Sequence, residues 1–372
     1  MDIKKILEKY DKSNITIAVL GGHSALDVCE GAKRMGFKTL AVCQKGREKT
    51  YAKYYKTREA KGCIDDIILV DKFADIVKPK VQEELRQRNA IFIHNRYFWV
   101  YCNFDDIEKK FQVPIYGTRH MVRLEERDVQ HNQYWLLEKA GIRIPKMYKK
   151  PADIDGPVIV KVNEAERTYE RAFFVATSPE DYKVKSDAMI EAGTIKKADL
   201  KKAVIEEFII GAQVNFNFFY SAIDGELELM GTDTRRQTSL DGFLRLDAKT
   251  QIELLESGYK PSMVETGHYS VTTKESIIEK IFEMGEKFVK TTQKHSKPGI
   301  IGPFALQGAV AAEKGKEELV IFDVSMRIPG SPGTRFTPHT SYLWGYEISY
   351  GERIALEIQD AIDEDRLHEI LT

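Results

Sequence analysis

Two apolar runs near the C-terminal end, joined by a charged turn, limit the fold more than any other feature of the chain. The runs are residues 301–307 and 319–327, and the turn is residues 313–318. Apolar, β-branched runs of this length between glycine and charge are typical of hairpin strands. In the second run Asp323, Ser325 and Arg327 are spaced by two, which predicts that all three project from one face. Gln307 is predicted to lie across from Asp323.

A carboxylate, a hydroxyl and a guanidinium on one strand face suit Mg²⁺-assisted nucleotide binding. Mg²⁺ prefers one or two protein oxygens together with phosphates and water. Arginine holds phosphate oxygens with a rigid fork of N–H groups. The alternative is an antiparallel hairpin whose polar face meets solvent, and the spacing alone leaves both interpretations open.

Composition narrows the class of protein. The 372 residues are 42% hydrophobic, enough to bury a core divided over two or three subdomains. Lys+Arg 56 against Asp+Glu 57 gives a net charge of −1, which argues against nucleic acid or an anionic membrane as partner. The four cysteines form no CxxC pair, which predicts reduced thiols. Without a signal-peptide-like start or an apolar run of about 18 residues, we expect a soluble cytoplasmic protein.

The N-terminal third shows the pattern of a doubly wound α/β domain. Strands are predicted at residues 15–20, 36–43, 67–70, 90–93 and 113–117, with helices at 25–35 and 73–88. His23 and Ser24 follow the first strand, and Arg96 and Tyr97 follow the fourth. Ligands bind at the carboxyl ends of such strands, although His23 could equally be a structural turn residue. The pattern GxGxxG is absent, which disfavours a nicotinamide cofactor.

The middle of the chain carries a lysine and a pair of acids within apolar runs. Residues 119–140 have helical spacing and end at Gly141. Lys161 lies in the apolar run 158–162, and burial of its ammonium requires an anion, of which phosphate is one. Glu206 and Glu207 are adjacent in the run 203–211, so one of them must point inward. An inward carboxylate suits a ribose hydroxyl or an amino-group donor, and the alternative is a surface acid.

The order of these parts resembles the ATP-grasp ligases. An α/β domain is followed by a strand lysine, an acid-bearing strand and a hairpin with Asp323-x-Ser325-x-Arg327, where that superfamily typically has acid-x-Asn-x-Arg. The resemblance implies an α/β ATP-grasp fold, α+β in its C-terminal part, with an N-terminal Rossmann-like domain. The implied division is a pre-ATP-grasp substrate domain (1–118), a linker helix with the small ATP-grasp subdomain (119–202), and a C-terminal ATP-grasp subdomain (203–372).

Within that superfamily, the chain resembles the archaeal PurP family of formate-dependent purine-biosynthesis ligases over nearly all of its length. The stretches that carry the resemblance are residues 15–24, 113–119, 137–145, 153–161 and 298–307. The resemblance implies that ATP phosphorylates formate to formyl phosphate. The amino group of AICAR, the aminoimidazole carboxamide ribonucleotide, then attacks to give FAICAR, ADP and phosphate. It further implies Mg²⁺ (or Mn²⁺) as the metal and a homo-oligomer.

Site residues follow from the resemblance position by position. It implies Arg327 and Ser325 as catalytic residues, Gln307 and Asp323 as metal ligands, Lys161, Arg167, Arg171, Glu206, Glu207, Phe208 and Ile209 as the ATP site, and His23, Ser24, Arg96, Tyr97 and His268 as substrate contacts.

Three departures from the family pattern keep other functions open. The loop 163–171, glycine-rich in the family, has no glycine here, so Arg167 or Arg171 would have to contact the ATP phosphates. Bulky Arg96 and Tyr97 replace a Gly-Ser pair, and His268 replaces an asparagine. The alternatives are a paralogue that ligates a different carboxylate and amine, and a nucleotide-binding protein without turnover.

Overall fold

The computed structural model describes residues 3–127, 129–162, 172–313, 315–330 and 332–372. Arg167 and Arg171 therefore lie outside the described residues. The strands are β1 (Thr16–Leu20), β2 (Lys38–Gln44), β3 (Asp66–Val70), β4 (Ala90–Ile93), β5 (Ile115–Tyr116), β6 (Met147–Tyr148), β7 (Val158–Val162), β8 (Ala172–Ala176), β9 (Val204–Glu207), β10 (Gly211–Tyr220), β11 (Leu227–Ser239), β12 (Met263–Ser270), β13 (Gly302–Glu313) and β14 (Lys316–Ser325).

Helices connect and cover these strands. They are α1 (Ile3–Leu7), α2 (Ala25–Arg34), α3 (Pro79–Gln87), α4 (Arg96–Tyr101), α5 (Gln133–Lys139), α6 (Pro179–Glu191), α7 (Leu240–Phe243), α8 (Ala248–Glu256), α9 (Ile278–His295), α10 (His339–Trp344) and α11 (Tyr350–Asp363). Within the described ranges, no helix combines the length and the apolar character needed to cross a bilayer.

The N-terminal sheet is parallel, with strand order β3-β2-β1-β4-β5. Every residue of β1 is buried, as expected for an apolar strand covered on both faces. After β1 the chain adds β2 and β3 on one side of that strand, and then β4 and β5 on its other side. The carboxyl ends of β1 and β4 therefore flank a topological switch point, where open α/β sheets bind ligands. The predicted doubly wound α/β arrangement is confirmed.

The C-terminal part is built on an antiparallel sheet with strand order β12-β11-β10-β13-β14. One face packs on α9 through Phe216, Leu306, Ile281 and Phe288, and the opposite face carries polar side chains. The predicted hairpin is confirmed as β13 and β14, and Gln307 pairs with Asp323 as predicted. Because β14 ends at Ser325, Arg327 lies just beyond the strand.

A smaller antiparallel sheet, β6-β9-β7-β8, lies between these two parts of the sequence. Its core includes Val158, Val160, Ile205 and Tyr182, the last from α6. β9 pairs with β7 although it lies beyond residue 202. The division into 1–118, 119–202 and 203–372 stays a prediction.

Two predicted helices are wrong in their extent. Residues 119–140 are not one helix, because a 3₁₀ helix ends at Glu125 (Met121–Glu125) and α5 begins separately at Gln133. Asn132 caps α5, where its side chain accepts from the N–H groups of Tyr134 and Trp135. The predicted helix 73–88 is interrupted before Pro79, which lacks an N–H and begins α3 instead.

Candidate active site

Polar side chains form a row across the polar face of the large sheet. Asp323 of β14 pairs in register with Gln307 of β13. Gln307 also pairs with Asn215 of β10, which pairs with Asp233 of β11. Asn215 Nδ2 donates to Asp233 Oδ2 at 2.9 Å, and Gln307 Nε2 donates to Ser325 Oγ at 2.9 Å. We call Asp323, Gln307, Asn215 and Asp233 the polar ladder.

Arg327 lies beside one end of the polar ladder, in the segment that leaves β14. Its side chain is buried, Nη1 donates to the carbonyl oxygen of Ile328 at 3.3 Å, and Nη2 lies 3.7 Å from Glu125 Oε2. Glu125 Oε1 also accepts from the N–H of Met326 at 2.6 Å. The same carboxylate thus holds both the cation and the backbone that carries it.

His23 and Ser24 occupy the turn after β1 and contact the segment that follows Arg327. Ser24 Oγ donates to the carbonyl oxygen of Pro329 at 2.7 Å, and His23 Nδ1 lies 3.1 Å from Ser24 Oγ. The His23 ring lies so close to Gly330 that a Cβ there would come within 2.6 Å of it. His23 has a φ of 44°, a strained backbone for a residue other than glycine. The turn is thus held against the hairpin exit.

Arg96 and Tyr97 open α4, which is separated by two residues from the end of β4, the strand beside β1. Burial and the guanidinium groups of Arg327 and Arg96 lower the pKa of His23 to about 3, so its ring is neutral. Burial and the neighbouring Arg327 likewise lower the pKa of Arg96. Tyr97 packs its ring on the turn, because a Cβ on Gly22 would lie 2.1 Å from that ring. The structure therefore brings His23, Arg96 and Arg327 together and gives Tyr97 a packing role.

His268 of β12 lies at the other end of the polar ladder. Its Nδ1 bonds to Asp233 Oδ2, and its Nε2 lies 3.0 Å from Glu265 Oε1. Burial alone would lower the pKa of His268, but these two carboxylates raise it to about 9. Arg235 lies beside the same group, with its Nε 3.2 Å from Glu265, and donates to Gln307 Oε1. His268 is thus a fixed imidazolium.

A second polar centre lies where the small sheet faces the hairpin. The buried ammonium of Lys161 forms an ion pair with Glu206 of β9 and donates to the Tyr134 hydroxyl at 3.2 Å. The Tyr134 hydroxyl donates to Glu206 Oε2 at 2.7 Å. Burial lowers the pKa of Lys161, whereas the Glu206 carboxylate favours the charged ammonium. Arg127 Nη2, 4.0 Å from Asp323 Oδ1, links this centre to the polar ladder.

The predicted inward acid is Glu206, which is 1% exposed. Glu207 points to the opposite side, where its Oε2 accepts from Arg143 Nη2 at 3.1 Å and from the N–H of Lys146 at 2.9 Å. Phe208 and Ile209 continue the chain from β9 toward β10. A groove of about 490 Å³ opens along them, with Glu207 and Ile210 also in its lining.

The donor set at the hairpin fits a metal that is shared with a nucleotide. Asp323 supplies a partly exposed carboxylate, and the oxygen of Gln307 lies beside it in register. In the described part of the chain, no group of three or more His, Cys, Asp or Glu could hold a metal ion. Mg²⁺ commonly takes one or two protein oxygens and completes its shell with phosphates and water. The residues present therefore fit Mg²⁺ but do not enclose it.

Sequence reasoning missed several residues of this site. The pattern Asn-Phe-Asn-Phe from Asn215 and the Asp233/Arg235 pair both have polar residues spaced by two, which is the signal for a polar strand face. Glu125 and Tyr134 lay inside the predicted continuous helix, where the pattern predicts packing. Their roles depend on the break between the two short helices.

Comparison with known proteins identifies the family to which the chain belongs. A family model described as a domain of unknown function, DUF1297, matches residues 181–372, and one described as a protein of unknown function, DUF1246, matches residues 17–148. The chain is 41% identical over 374 residues to 5-formaminoimidazole-4-carboxamide-1-(beta)-D-ribofuranosyl 5'-monophosphate synthetase of Methanobrevibacter smithii, covering 100% of this chain and 98% of that protein. The protein of the same name from Methanopyrus kandleri is 36% identical, covering 100% and 99%.

Solved structures of other proteins have the same fold as this chain. The IMP biosynthesis protein PurP from Thermococcus kodakaraensis matches with a TM-score of 0.69 and 25% identity, covering 96% of this chain and 100% of that one. N5-carboxyaminoimidazole synthetase from Staphylococcus aureus matches with a TM-score of 0.57 at 13% identity, covering 94% and 78%, and shows the fold alone. Fold and site together define an ATP-grasp ligase, and the predicted α/β ATP-grasp fold is confirmed. The chain belongs to the PurP family of FAICAR synthetases.

Proposed function

We propose that this chain is the ATP- and formate-dependent ligase that converts AICAR to FAICAR in purine biosynthesis. The observation that supports the proposal is that two groups of polar residues, the switch-point loops and the polar ladder, both lie next to Arg327. The switch-point loops with His23 and Arg96 approach it from one side, and the polar ladder with Asp323 lies on the other. Full-length similarity to FAICAR synthetases supports this substrate pair, and neither a different substrate pair nor a protein without turnover is favoured.

The nucleotide is proposed to lie between the small sheet and the β13–β14 hairpin. Lys161 holds a buried positive charge there, and its present partner is the Glu206 carboxylate. A bound phosphate would share this ammonium with Glu206, which explains why the charge is maintained in a buried position. Glu206, Glu207, Phe208 and Ile209 line the turn between the two sheets and complete the proposed ATP site. Arg167 and Arg171 remain predicted phosphate contacts.

Asp323 and Gln307 would hold Mg²⁺, with Mn²⁺ as the alternative. When bound, the ion neutralises charge on the phosphates during transfer. Gln307 Oε1 has two lone pairs, so it could coordinate the ion while it still accepts the hydrogen bond from Arg235. Ser325 positions Gln307 by accepting from its amide.

The reaction proceeds in two displacements. A formate oxygen attacks the γ-phosphorus of ATP, so an O–P bond forms while the bond to the β,γ-bridging oxygen breaks and ADP leaves. The AICAR amino nitrogen then attacks the formyl carbon, forming a C–N bond as phosphate departs and the nitrogen loses a proton. Arg327 is proposed to stabilise the transferring phosphoryl group.

AICAR is proposed to bind at the switch point. Arg96 suits its phosphate, because a guanidinium holds phosphate oxygens with two parallel hydrogen bonds. The neutral ring of His23 suits the uncharged base or ribose, with Ser24 fixing the ring. Tyr97 and His268 complete the predicted substrate contacts, the first by holding the Gly22 turn and the second beside the polar ladder.

The decisive experiment is ADP release from Mg-ATP with formate, AICAR, both or neither, in the unmodified chain and in Asp323→Asn. We expect release that requires both substrates and that falls by about 100-fold or more in the variant, since the carboxylate proposed to hold the charge-neutralising Mg²⁺ is lost. Glu318→Gln on the same strand is the matched control and should retain activity. Release that needs neither formate nor AICAR, or equal activity in Asp323→Asn, would refute the assignment.

Two further properties stay predictions. A homo-oligomer is supported by exposed apolar side chains on and around α7 and α8, among them Leu244, Ile252 and Met263. A cytoplasmic location follows from a biosynthetic role with small-molecule substrates.

A further inference from the structure

Glu125 lies where the segment after β14 passes the switch point of the parallel sheet. It ends the 3₁₀ helix before α5. Its Oε1 accepts from the N–H of Met326 at 2.6 Å. Gln133 Nε2 donates to the Glu125 carbonyl oxygen at 2.6 Å, and Gln133 Oε1 accepts from the N–H of Val324 at 2.6 Å. Both the side chain and the backbone of Glu125 are therefore fixed against the end of β14.

The second oxygen of Glu125 is open to a ligand. Among the residues that the structure describes, no donor hydrogen-bonds to Oε2, and its ion pair with Arg327 Nη2 spans 3.7 Å. The side chain is 17% exposed, so a bound substrate can reach it. Glu125 thus presents a carboxylate oxygen beside the arginine proposed to stabilise the transferring phosphoryl group.

The charges around Glu125 come from both halves of the site. Burial raises the pKa of its carboxyl group, the Arg327 guanidinium and the Met326 N–H lower it, and the Asp323 carboxylate raises it and the Arg96 guanidinium lowers it further. Arg96 belongs to the switch point, and Asp323 belongs to the polar ladder. Where burial raises the pKa of a carboxyl group, its carboxylate is a better proton acceptor at neutral pH.

The second displacement releases a proton that a group in the site has to accept. The AICAR amino nitrogen becomes positively charged as it attacks and has to lose one proton to form the amide. Neither histidine of the site suits this role. His268 already holds its proton, since its pKa is about 9. His23, with a pKa of about 3, is a weak base.

The other carboxylates of the site are engaged. Asp233 accepts from two asparagine amides and from an imidazolium, and Glu265 pairs with the same imidazolium and with a guanidinium. Glu206 pairs with a buried ammonium, and Asp323 is proposed to hold Mg²⁺. Glu125 is therefore the carboxylate best placed to accept the proton.

We infer that Glu125 is a catalytic residue of the second displacement, the base whose Oε2 takes the proton from the AICAR amino nitrogen. The inference rests on the proposed function and deepens it. As the nitrogen attacks the formyl carbon, a C–N bond forms, the electron pair of one N–H bond stays on nitrogen, and the proton moves to Oε2. The C–O bond to phosphate breaks, and phosphate leaves with the electron pair. Glu125 then returns the proton to water.

Formyl phosphate allows the two displacements to be measured separately. With Mg-ADP it gives ATP, the reverse of the first displacement, and with AICAR it gives FAICAR, the product of the second. In Glu125→Gln, whose amide oxygen can still accept from Met326, FAICAR formation should fall about 100-fold or more, while ATP formation stays within about threefold. Equal loss of both would show that Glu125 only holds Arg327. Undiminished FAICAR formation would make the departing phosphate the acceptor. Either result overturns the inference.

The pH dependence of FAICAR formation gives a second readout, which a role in holding Arg327 would not change. The rate in the unmodified chain should decline as the pH falls through the pKa of Glu125, because a protonated carboxyl group cannot accept the proton. The decline should be absent in Glu125→Gln. Glu125→Asp should retain it and recover part of the rate, which also keeps the test possible if the glutamine variant does not fold. The same decline in Glu125→Gln would contradict the inference.

Glu108→Gln is the matched control. Glu108 is also 17% exposed, and it pairs with Arg123 of the same 3₁₀ helix at 2.8 Å. This variant should keep both partial reactions and the acid-side decline, and melting temperatures check that each variant folds. A loss of FAICAR formation in Glu108→Gln equal to that in Glu125→Gln would overturn the inference.

ADP release separates the failure of this inference from that of the proposed function. If release from Mg-ATP requires formate and AICAR while Glu125→Gln keeps the rate and pH profile of the unmodified chain, the role of Glu125 alone is refuted. If release from the unmodified chain requires neither substrate, the proposed function fails and the role of Glu125 fails with it.

Discussion

His268 lies between the carboxylates of Asp233 and Glu265, so the protonation of this one side chain affects the charge of the whole hydrogen-bonded group around it. Asp233 belongs to the polar ladder, and Glu265 also contacts Arg235, which reaches Gln307. With a pKa of about 9, the imidazolium is the folded-state form at neutral pH. An asparagine at this position could hydrogen-bond to the same carboxylates but could not neutralise them.

Stability should therefore depend on pH through His268. The pKa is about 6.5 in the unfolded chain and about 9 in the folded one, so the stabilisation is fully present below pH 6.5 and is lost as pH rises through 9. The shift corresponds to ~3 kcal/mol. The melting temperature of the unmodified chain should fall toward that of His268→Gln between pH 6.5 and 9.5.

His120→Gln provides the control for that titration. Burial lowers the pKa of His120, so its loss should not reproduce the alkaline decline. If the unmodified chain and His268→Gln show the same pH profile, the carboxylates do not hold a proton on His268.

At the scale of elements, the N-terminal and C-terminal parts are joined by two helices whose backbones touch. α2 and α11 cross at Gly31 and Gly351. A Cβ on Gly31 would lie 2.0 Å from the Glu352 nitrogen, and one on Gly351 would lie 1.9 Å from the Asp27 carbonyl oxygen. Asp27 also accepts from the Gly351 N–H at 3.0 Å. Glycine is required at this crossing because no side chain fits between the helices.

Gly31→Ala should destabilise the protein by about 3 kcal/mol, because overpacking forces the helices apart. The midpoint of chemical denaturation measures the loss. Gly242→Ala is the matched control, since Gly242 is also helical but has nothing within 4 Å of an added Cβ. That variant should be unchanged or slightly more stable. Equal midpoints for Gly31→Ala and the unmodified chain would mean that the crossing relaxes without cost.

The elements differ in how well the sequence specifies them. Runs of buried β-branched residues predict β1, β4, β7 and the β13–β14 hairpin, because strand burial follows directly from apolar side chains. Helix limits depend on single residues, and here Asn132 and Pro79 begin helices that the periodicity alone would extend further back. Glu125, which holds Arg327, is placed by such a limit.

At the scale of the molecule, a buried charge cluster ties α11 to the large sheet. Arg353 is fully buried, with Nε 2.8 Å from Glu228 Oε1 and Nη1 3.1 Å from Glu357 Oε2. Its guanidinium also lies 4.3 Å from the centre of the Phe219 ring. Among the described residues, Arg353 is the cation that forms ion pairs with Glu228 and Glu357.

Arg353→Met should destabilise the protein by ~3–5 kcal/mol, since two buried carboxylates lose their partner. Adding Glu357→Gln should recover part of that loss, because one of the two charges is then absent. Arg88→Met, which removes a partly exposed cation paired with Asp66 and Glu84, should cost at most ~1 kcal/mol. Denaturation midpoints at neutral pH measure all three, and equal losses for Arg353→Met and Arg88→Met would contradict the argument.

The pattern of a single hairpin predicts only part of the site that the folded chain assembles. The hairpin pattern correctly placed Gln307 beside Asp323, because register within a hairpin is local. Asn215 and Asp233 join the same row only through pairing between β10, β11 and β13, which are far apart in the sequence. The meeting of His23 with the segment after Arg327 depends in the same way on contacts between distant parts of the chain.

The polar ladder also has a consequence for the chain before it is fully folded. Its four members come from four strands between residues 215 and 323, so no contiguous fragment shorter than that span can assemble it. A one-residue slip of any of these strands would turn its member to the opposite face of the sheet. On the proposed role of Asp323 and Gln307, a newly synthesised or misfolded chain would therefore not activate a carboxylate or release a reactive acyl phosphate into its surroundings. Turnover would then begin only with correct folding.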